Sequence, residues 1–192
     1  MPVSFSLNGP TWLDLAKEGL AKALCACFGL PWESDAALSF IRYAYRSEDR
    51  AATNPEPSIT EDVVYIDAVP VQDRTKRWSE TKNGSDSISV TKTIPLYCPL
   101  VFYGPHAIEL ATQAQINLMV DTGSGSPRDI LKQYRMTIPE RPDDPQSTRD
   151  VVANSPRERA DLDVRINLLH TSELPYSPLE RVPDIEMSVS PN

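Results

Sequence analysis

The chain has 192 residues, of which 40% are hydrophobic and 24% are charged, and this ordinary globular composition excludes a wholly disordered protein. Its 27 Asp and Glu against 19 Lys and Arg give a formal net charge of -8, which argues against a static clamp on DNA or RNA because phosphate binding draws on basic side chains. Three cysteines favour free thiols in a reducing compartment. The first residues carry no basic and apolar leader, and no window approaches 18 apolar residues, so we expect neither a secretory signal nor a membrane span.

The first predicted element is a helix over residues 11–28. Thr11 and Asp14 resemble a capping box, and behind them apolar residues recur every three or four positions. A glycine and a proline then end the periodic run. A second, shorter helix is predicted over residues 34–45.

Two strands are predicted next, over residues 61–71 and 87–102, because both runs are rich in β-branched and aromatic residues. Two prolines are expected to interrupt the second strand. Between the strands, Asn83-Gly84 is a strong turn signal. The two strands are therefore expected to form a long antiparallel hairpin whose charged tip spans residues 72–87.

A break at Tyr103-Gly104-Pro105 separates the hairpin from the second half of the chain. Helical spacing follows the break up to about Val120. Gly123 or Gly125 is expected to close that helix with a positive φ. Residues 128–138 are predicted to be a short turn followed by a strand.

The last third of the chain combines irregular segments with one strong strand. Residues 139–156 are polar and proline-rich, which predicts an irregular excursion. Residues 160–170 alternate apolar and polar side chains and predict the clearest strand. We expect an α+β fold with one mixed, mainly antiparallel sheet and flanking helices. A single domain over residues 1–170 and an extended tail over residues 171–192 complete the prediction.

One motif carries a catalytic hypothesis, because Asp121-Thr122-Gly123-Ser124 matches the signature of aspartic proteases. Such enzymes need two carboxylates that share a proton on a rigid turn between strands, and a retroviral-type protease obtains the second one by dimerising. The preceding run is helix-periodic, which favours a helix C-cap. A small aspartic protease at Asp121 is therefore the alternative from the enzyme class, and we assign no catalytic residue.

The soft metal ligands of the sequence are Cys25, Cys27, Cys98, His106 and His170. Cys25 and Cys27 fall at positions i and i+2 of the predicted helix, where side chains point apart. The sequence has no CxxC or HxxxH spacing, no Walker loop and no GxGxxG motif. It therefore predicts no metal site and no cofactor.

The charged hairpin tip is the strongest candidate for a contact surface. Trp and Arg often anchor protein interfaces, and so long a charged hairpin contributes little to a core. The alternative is an exposed loop whose tryptophan folds back on the sheet. We expect inter-subunit or inter-ring contacts at the tip and in the proline-rich excursion, at Arg74, Lys76, Arg77, Trp78, Glu80, Lys82, Asp143, Asp144 and Arg149.

The run Val101-Phe102-Tyr103-Gly104-Pro105-His106-Ala107, followed by an Ala-rich helix, resembles a family of tailed-bacteriophage proteins, the neck or tail terminators. In that family an apolar strand typically runs into an aromatic-Tyr-Gly-x-x-Ala turn and then a helix, as residues 100–118 do here. An N-terminal helix with an early Trp12, a strand like VVYIDAVPV and a charged hairpin extend the resemblance over most of residues 11–170. The proline-rich excursion and the extended tail depart from the family pattern.

The resemblance implies a structural, non-enzymatic virion protein, made in the host cytoplasm and located in the phage tail or neck. It implies a structural turn at Tyr103, Gly104 and Pro105, and a ring of identical copies, expected to be a hexamer, on the last ring of the tail tube. The implied partners are copies of this chain, the tail tube protein, the head–tail connector or stopper, and a sheath protein if the tail is contractile. Genome DNA would cross the lumen without specific binding, and no membrane is involved.

Two further hypotheses stay open beside the protease. A head-side stopper or connector component would belong to the same structural class. A generic binding module that uses an open sheet edge would belong to a different one.

Overall fold

A mixed β-sheet with helices packed against its buried face forms the fold. The computed structural model describes residues 11–43, 60–72, 78–83, 87–152 and 155–175. The helices are α1 (Trp12–Cys27), α2 (Asp35–Phe40), α3 (Ala107–Met119) and α4 (Pro127–Gln133). The strands are β1 (Ile41–Tyr43), β2 (Val63–Ile66), β3 (Val69–Pro70), β4 (Trp78–Asn83), β5 (Ser87–Tyr103), β6 (Met136–Thr137), β7 (Gln146–Val152) and β8 (Ser155–Pro175).

In the described residues the eight strands form one sheet in the order β1-β2-β5-β8-β6, with β3 and β4 paired to β5 and β7 paired to β8. Only the β1–β2 pair among these is parallel. The predicted α+β fold with a mixed, mainly antiparallel sheet is confirmed. No helix in the described ranges is long and apolar enough to cross a membrane.

Helix α1 begins with the predicted capping box. The Thr11 hydroxyl accepts a hydrogen bond from the Asp14 amide at 3.2 Å, and the Asp14 carboxylate accepts one from the Thr11 amide at 3.0 Å. These bonds satisfy two backbone amides that have no acceptor inside the helix. Hydrogen bonds from Thr11 also lower the pKa of the Asp14 carboxyl.

The second predicted helix is shorter than expected. Helix α2 ends at Phe40, and the next three residues form β1, in which Ile41 lies opposite Val64 of β2. Ile41 is buried. Sheet pairing and burial therefore prevail over the continuation of a short helix, which gains little stability by itself. Residues 44 and 45 of the predicted helix lie outside the described residues.

The first predicted strand is two short strands, β2 and β3, which both pair antiparallel with β5. Asp67 and Ala68 separate them. The Asp67 carboxylate is buried, lies 2.7 Å from the ammonium of Lys17 on α1, and accepts a hydrogen bond from the Ala68 amide at 2.8 Å. Strand β4 continues the antiparallel pairing along β5, so the predicted hairpin is confirmed, while residues 84–86 of the predicted Asn83-Gly84 turn lie outside the described residues.

Pro95 and Pro99 do not interrupt β5, which runs for 17 residues, so that expectation is wrong. The carbonyl oxygen of Pro95 accepts a hydrogen bond from the Val71 amide at 2.9 Å, and that of Pro99 accepts one from the Asp67 amide at 3.3 Å. In an antiparallel pair the N–H and C=O of one residue point to the same side. The amides that both prolines lack would therefore point away from β8. The prolines therefore remove no hydrogen bond to β8, and the pairing with β8 is continuous. The missing amides face β2 and β3, where strand pairing is interrupted at Asp67 and ends before Val71.

The segment of residues 128–138 begins with a helix in place of the predicted turn, whereas the strand predicted after that turn is present as the short β6. Helix α4 fills most of it, and β6 contains two residues. The Ser126 hydroxyl caps α4 by accepting a hydrogen bond from the Asp129 amide at 3.2 Å. Pro127 occupies the first turn, where a missing amide removes no helix bond. The Ser-Pro-x-Asp pattern is thus a helix start.

The predicted irregular excursion over residues 139–156 contains a strand. Strand β7 pairs antiparallel with the start of β8, from Gln146 opposite Asp161 to Val152 opposite Ser155. Strand β8 itself extends five residues beyond each end of the strand predicted over 160–170. Residues 176–192 of the predicted tail lie outside the described residues.

The core lies between the helices and one face of the β5–β8 pair. From Leu96 to Phe102 on β5, and from Ala160 to Leu168 on β8, even-numbered residues are buried and odd-numbered residues are not. This period of two is that of a strand with one buried face. Phe102 is the largest fully buried side chain.

The three cysteines are free and buried in this core. Desolvation raises the pKa of Cys27 and of Cys98 to about 12. Both thiols are therefore protonated and unreactive near neutral pH.

Candidate assembly surfaces

The sheet continues beyond the core as a three-stranded projection, which we call the arm. The arm consists of β4, residues 87–93 of β5 and residues 169–175 of β8, held by continuous antiparallel pairing. None of the arm side chains that the structure describes is buried, whereas Leu96 and Leu168, next to its base, are. Seven strand residues rise about 23 Å, so the arm is a substantial extension.

The two faces of the arm differ in chemistry. One face presents hydroxyl groups from all three strands: Ser79, Thr81, Ser89, Thr91, Thr93 and Thr171. The hydroxyl oxygens of Thr91 and Thr171 lie 3.1 Å apart, and the Arg135 guanidinium donates a hydrogen bond to Thr171 at 3.2 Å. The other face carries the partly exposed Ile88 and Val90.

The predicted tip residues divide between the arm and the undescribed part of the chain. Arg74, Lys76 and Arg77 lie outside the described residues. The backbone of Trp78 and Lys82 belongs to β4, while their side chains are outside the description. Glu80 is exposed on β4. The segment predicted as a charged tip over 72–87 therefore includes an edge strand of six residues.

The second predicted contact group lies in and before β7. Asp143 and Asp144 are exposed in the loop that precedes the strand, and Arg149 is exposed on the strand. The buried side chain of Gln115 on α3 fixes this loop. Its amide nitrogen donates to the carbonyl oxygens of Pro142 and Asp143, each at 3.0 Å, and to the Asp144 carboxylate at 3.1 Å.

The structure does not bring the two predicted contact groups together. Glu80 on β4 lies opposite Val90 of β5, whereas Ser147 on β7 lies opposite Ala160, which pairs with Phe102 of β5. Twelve residues along β5 separate these two levels, a distance of about 40 Å. The arm and the β7 group are thus separate surfaces at opposite ends of the sheet.

The outer face of the sheet carries a polar cluster that the sequence analysis missed. The Tyr103 hydroxyl donates to the Asp150 carboxylate at 3.1 Å. The Arg159 guanidinium contacts the Asp161 carboxylate with two nitrogens, at 2.7 and 2.9 Å, and Asp150 at 3.4 Å. Desolvation raises the pKa of Tyr103, and the hydrogen bond from Tyr103 lowers the pKa of Asp150. The bond to Asp161 raises the pKa of Arg159, so this guanidinium stays charged.

A cavity of about 250 Å³ lies beside this cluster. Four aspartates contribute to its lining, among them Asp143 and Asp144 of the predicted contact group. The Tyr97 hydroxyl donates to Asp163 at 2.6 Å at its wall, and that bond raises the pKa of Tyr97 to about 12. Charged residues recur at odd-numbered positions of β8, and this period of two indicates in the sequence that one face of the strand is charged.

The Tyr103-Gly104-Pro105 turn is fixed by Asp62. Gly104 has φ +124°, and a Cβ there would lie 2.7 Å from the Asp62 Cα and 2.8 Å from the Glu61 carbonyl oxygen. The Asp62 carboxylate accepts hydrogen bonds from the His106 amide at 3.1 Å and lies 2.9 Å from its ring Nδ1. These contacts join β2 to the start of α3. The turn is a structural link between two elements.

Asp121 lies in the loop between α3 and α4, in an arrangement unlike the strand-flanked turn of an aspartic protease. Its carboxylate lies 2.7 Å from the Lys132 ammonium and accepts a hydrogen bond from the Gly123 amide at 3.3 Å. These bonds lower the pKa of Asp121, the Lys132 bond most. Gly123 and Gly125 both have positive φ, at +100° and +79°, but α3 already ends at Met119 and its C-cap Val120 is extended, so the expectation that one of these glycines closes the helix is wrong.

No group of three or more His, Cys, Asp or Glu side chains is arranged for a metal ion within the part of the chain that the structure describes. Cys25 and Cys27 belong to α1, Cys98 to β5, and His170 to β8. His106 is placed against Asp62 instead.

The family model described as "Phage neck terminator protein" matches residues 18–192, nearly the whole chain. The match includes the arm, the outer-face cluster and the Tyr103 turn. It confirms the resemblance seen in the sequence. No curated protein matches the chain.

Proposed function

The chain belongs to the phage neck terminator family, whose members are structural proteins of the virion neck, and from this premise we propose that it forms a ring that caps the tail tube and joins it to the head-side connector. The ring would contain six copies. Its neighbours would be the tail tube protein on one side and the connector or stopper on the other, with a sheath protein around it if the tail is contractile.

The observation that carries this proposal is the arm. Three strands project about 23 Å from the core, yet none of their described side chains is buried within the chain. An element of this kind contributes little to the stability of a monomer, whereas it offers surface to another subunit.

The separation of the two contact groups also supports a ring. A cyclic assembly is heterologous, so each subunit must offer two different and complementary patches. Glu80 on the arm and Ser147 on β7 lie at levels about 40 Å apart along the sheet. We propose that contacts between subunits or between rings use both, including the side chains at Arg74, Lys76, Arg77, Trp78, Lys82 and Arg149.

Replacement of residues 73–86 by an Asn-Gly turn tests the proposal. This change removes β4 and the tip but leaves the buried residues of the core in place. We expect a folded monomer with cooperative unfolding that forms no rings in negative-stain images and does not join heads to tails. Normal assembly and normal joining by this variant would contradict the proposed role of the arm.

A second variant tests the β7 group by removing two charges from it. Asp143→Asn with Asp144→Asn keeps the shape of the loop, because Gln115 also binds the backbone carbonyls there. If the β7 group binds the adjacent ring, this variant should form rings that fail to join their partner. Binding of purified wild-type rings to tail tubes supports the terminator, whereas binding to portal complexes alone would indicate the head-side stopper.

A further inference from the structure

The two long edges of the arm are alike in length and level. Strand β4 forms one edge over Trp78–Asn83, and residues 170–175 of β8 form the other. Trp78 and His170 both lie opposite Lys92, and Asn83 and Pro175 both lie opposite Ser87. Each edge therefore spans six residues at the same height.

No described strand pairs with the outer side of either edge. Strand β5 occupies the inner side of β4 and of β8, and β6 pairs with β8 only up to Leu168. Within the described residues, each edge therefore presents a row of backbone amides and carbonyls to which another strand can pair. These edges are longer than the short strands that proteins commonly use to avoid unwanted pairing.

The strand directions permit one simple arrangement of copies. Strands β4 and β8 are both antiparallel to β5, so they run in the same direction. Rotation about an axis along the arm preserves that direction. The β4 edge of one copy and the β8 edge of its neighbour would therefore meet as parallel strands.

We propose that neighbouring copies of this chain pair their arms edge to edge, β4 of one copy against residues 170–175 of β8 of the next. This inference rests on the proposed ring and adds the contact that closes it. A second copy is the occupant that the geometry favours, because every copy carries one edge of each kind. Closure around the ring would then leave no arm edge unpaired, as in any closed barrel.

Disulfide cross-linking tests the pairing. Ser79→Cys or Thr81→Cys on β4 is combined with Thr171→Cys or Glu173→Cys on β8, which gives four double variants on the same face of the arm. Within one copy, β5 separates the two strands and keeps their Cα atoms about 9.5 Å apart, beyond the reach of a disulfide. The three native cysteines are buried, so we expect them not to form disulfides with the introduced cysteines.

We expect at least one double variant to give, after mild oxidation, a ladder of covalent oligomers that ends at the full ring on a non-reducing gel. Thr81→Cys with Val151→Cys is the matched control, because Val151 is exposed on β7 at the far end of the sheet. Rings in images without a ladder in any of the four variants would overturn the edge pairing and leave the ring in place. A ladder that stops at two copies, or one equally strong in the control, would overturn it too. Absence of rings altogether would remove both the pairing and the proposed function.

Discussion

Gly104 shows how one residue joins a strand to a helix. Its φ of +124° lies in a region that side chains other than glycine rarely adopt, and the backbone of residues 61–62 leaves no room for a Cβ. We expect Gly104→Ala to lower the free energy of unfolding by about 2–4 kcal/mol, since backbone strain and overpacking each cost 1–3 kcal/mol. Urea unfolding followed by circular dichroism measures the change.

Gly29 is the matched control for this substitution. It also has a positive φ, at +64°, but nothing lies within 4 Å of a Cβ built there. Gly29→Ala should cost only the backbone term, about 1 kcal/mol. Equal losses for the two variants would show that the close approach of Asp62 does not matter.

The His106–Asp62 pair predicts a pH effect. The hydrogen bond and the charge of Asp62 raise the pKa of His106 above its ordinary value of about 6.5. A raised folded-state pKa means that the pair stabilises the fold fully below about pH 6.5, and that this stabilisation disappears as the pH rises through the folded pKa. An NMR titration should show a raised pKa for His106 that falls in Asp62→Asn. An unchanged His106 curve in Asp62→Asn would contradict the pairing.

At the scale of elements, the packing of α1 on α4 depends on a small residue. A Cβ at Gly19 would lie 2.6 and 2.9 Å from the Tyr134 Cγ and Cβ. Tyr134 is itself held by the Glu18 carboxylate at 2.8 Å and the Lys22 ammonium at 2.6 Å, so it cannot move aside freely. Alanine improves helix propensity by about 1 kcal/mol, but overpacking costs about 1–3 kcal/mol.

We therefore expect Gly19→Ala to destabilise the chain by about 1 kcal/mol in spite of its better helix propensity. Thermal unfolding at several denaturant concentrations measures the sign. A gain in stability would mean that the packing of α1 on α4 adjusts to the added methyl group without loss of free energy.

Elements with strong local signals could be predicted from the sequence. The capping box at Thr11 and the alternation of β8 are both read from adjacent residues. The start of α4 at Ser126 is equally local, because the hydroxyl cap and Pro127 in the first turn are both adjacent residues. Strand β7 could not be predicted from its own residues, because its backbone hydrogen bonds are made with β8.

The continuity of β5 shows why pairing partners decide what a proline does. Pro95 and Pro99 are four residues apart, so both lack an amide on the same side of the strand. Sequence alone does not tell which side has a continuous neighbour. Here that side is the broken β2–β3 edge, and β8 lies on the other.

At the scale of the whole molecule, the sequence located the hairpin but not the extent of the arm. The arm needs β8 to continue past His170, where the predicted strand ended. The outer-face cluster around Arg159 depends on β7, so it was equally hidden. The contact residues named from the sequence stay predictions that the assembly experiments test.

The charge of the whole chain makes the final prediction, which concerns DNA. A net charge of -8 per copy would give the proposed ring of six copies a total of about -48. Binding to DNA phosphates depends on Lys and Arg contacts that release counterions. We expect assembled rings to give no mobility shift with duplex DNA at about 0.15 M salt, where surface charges act over about 8 Å. A basic DNA-binding protein of similar size serves as the positive control. Retention with an affinity that falls steeply as salt rises would contradict this prediction, because that slope counts neutralised phosphates. The proposed ring would then bind the genome in its lumen instead of allowing it to pass freely.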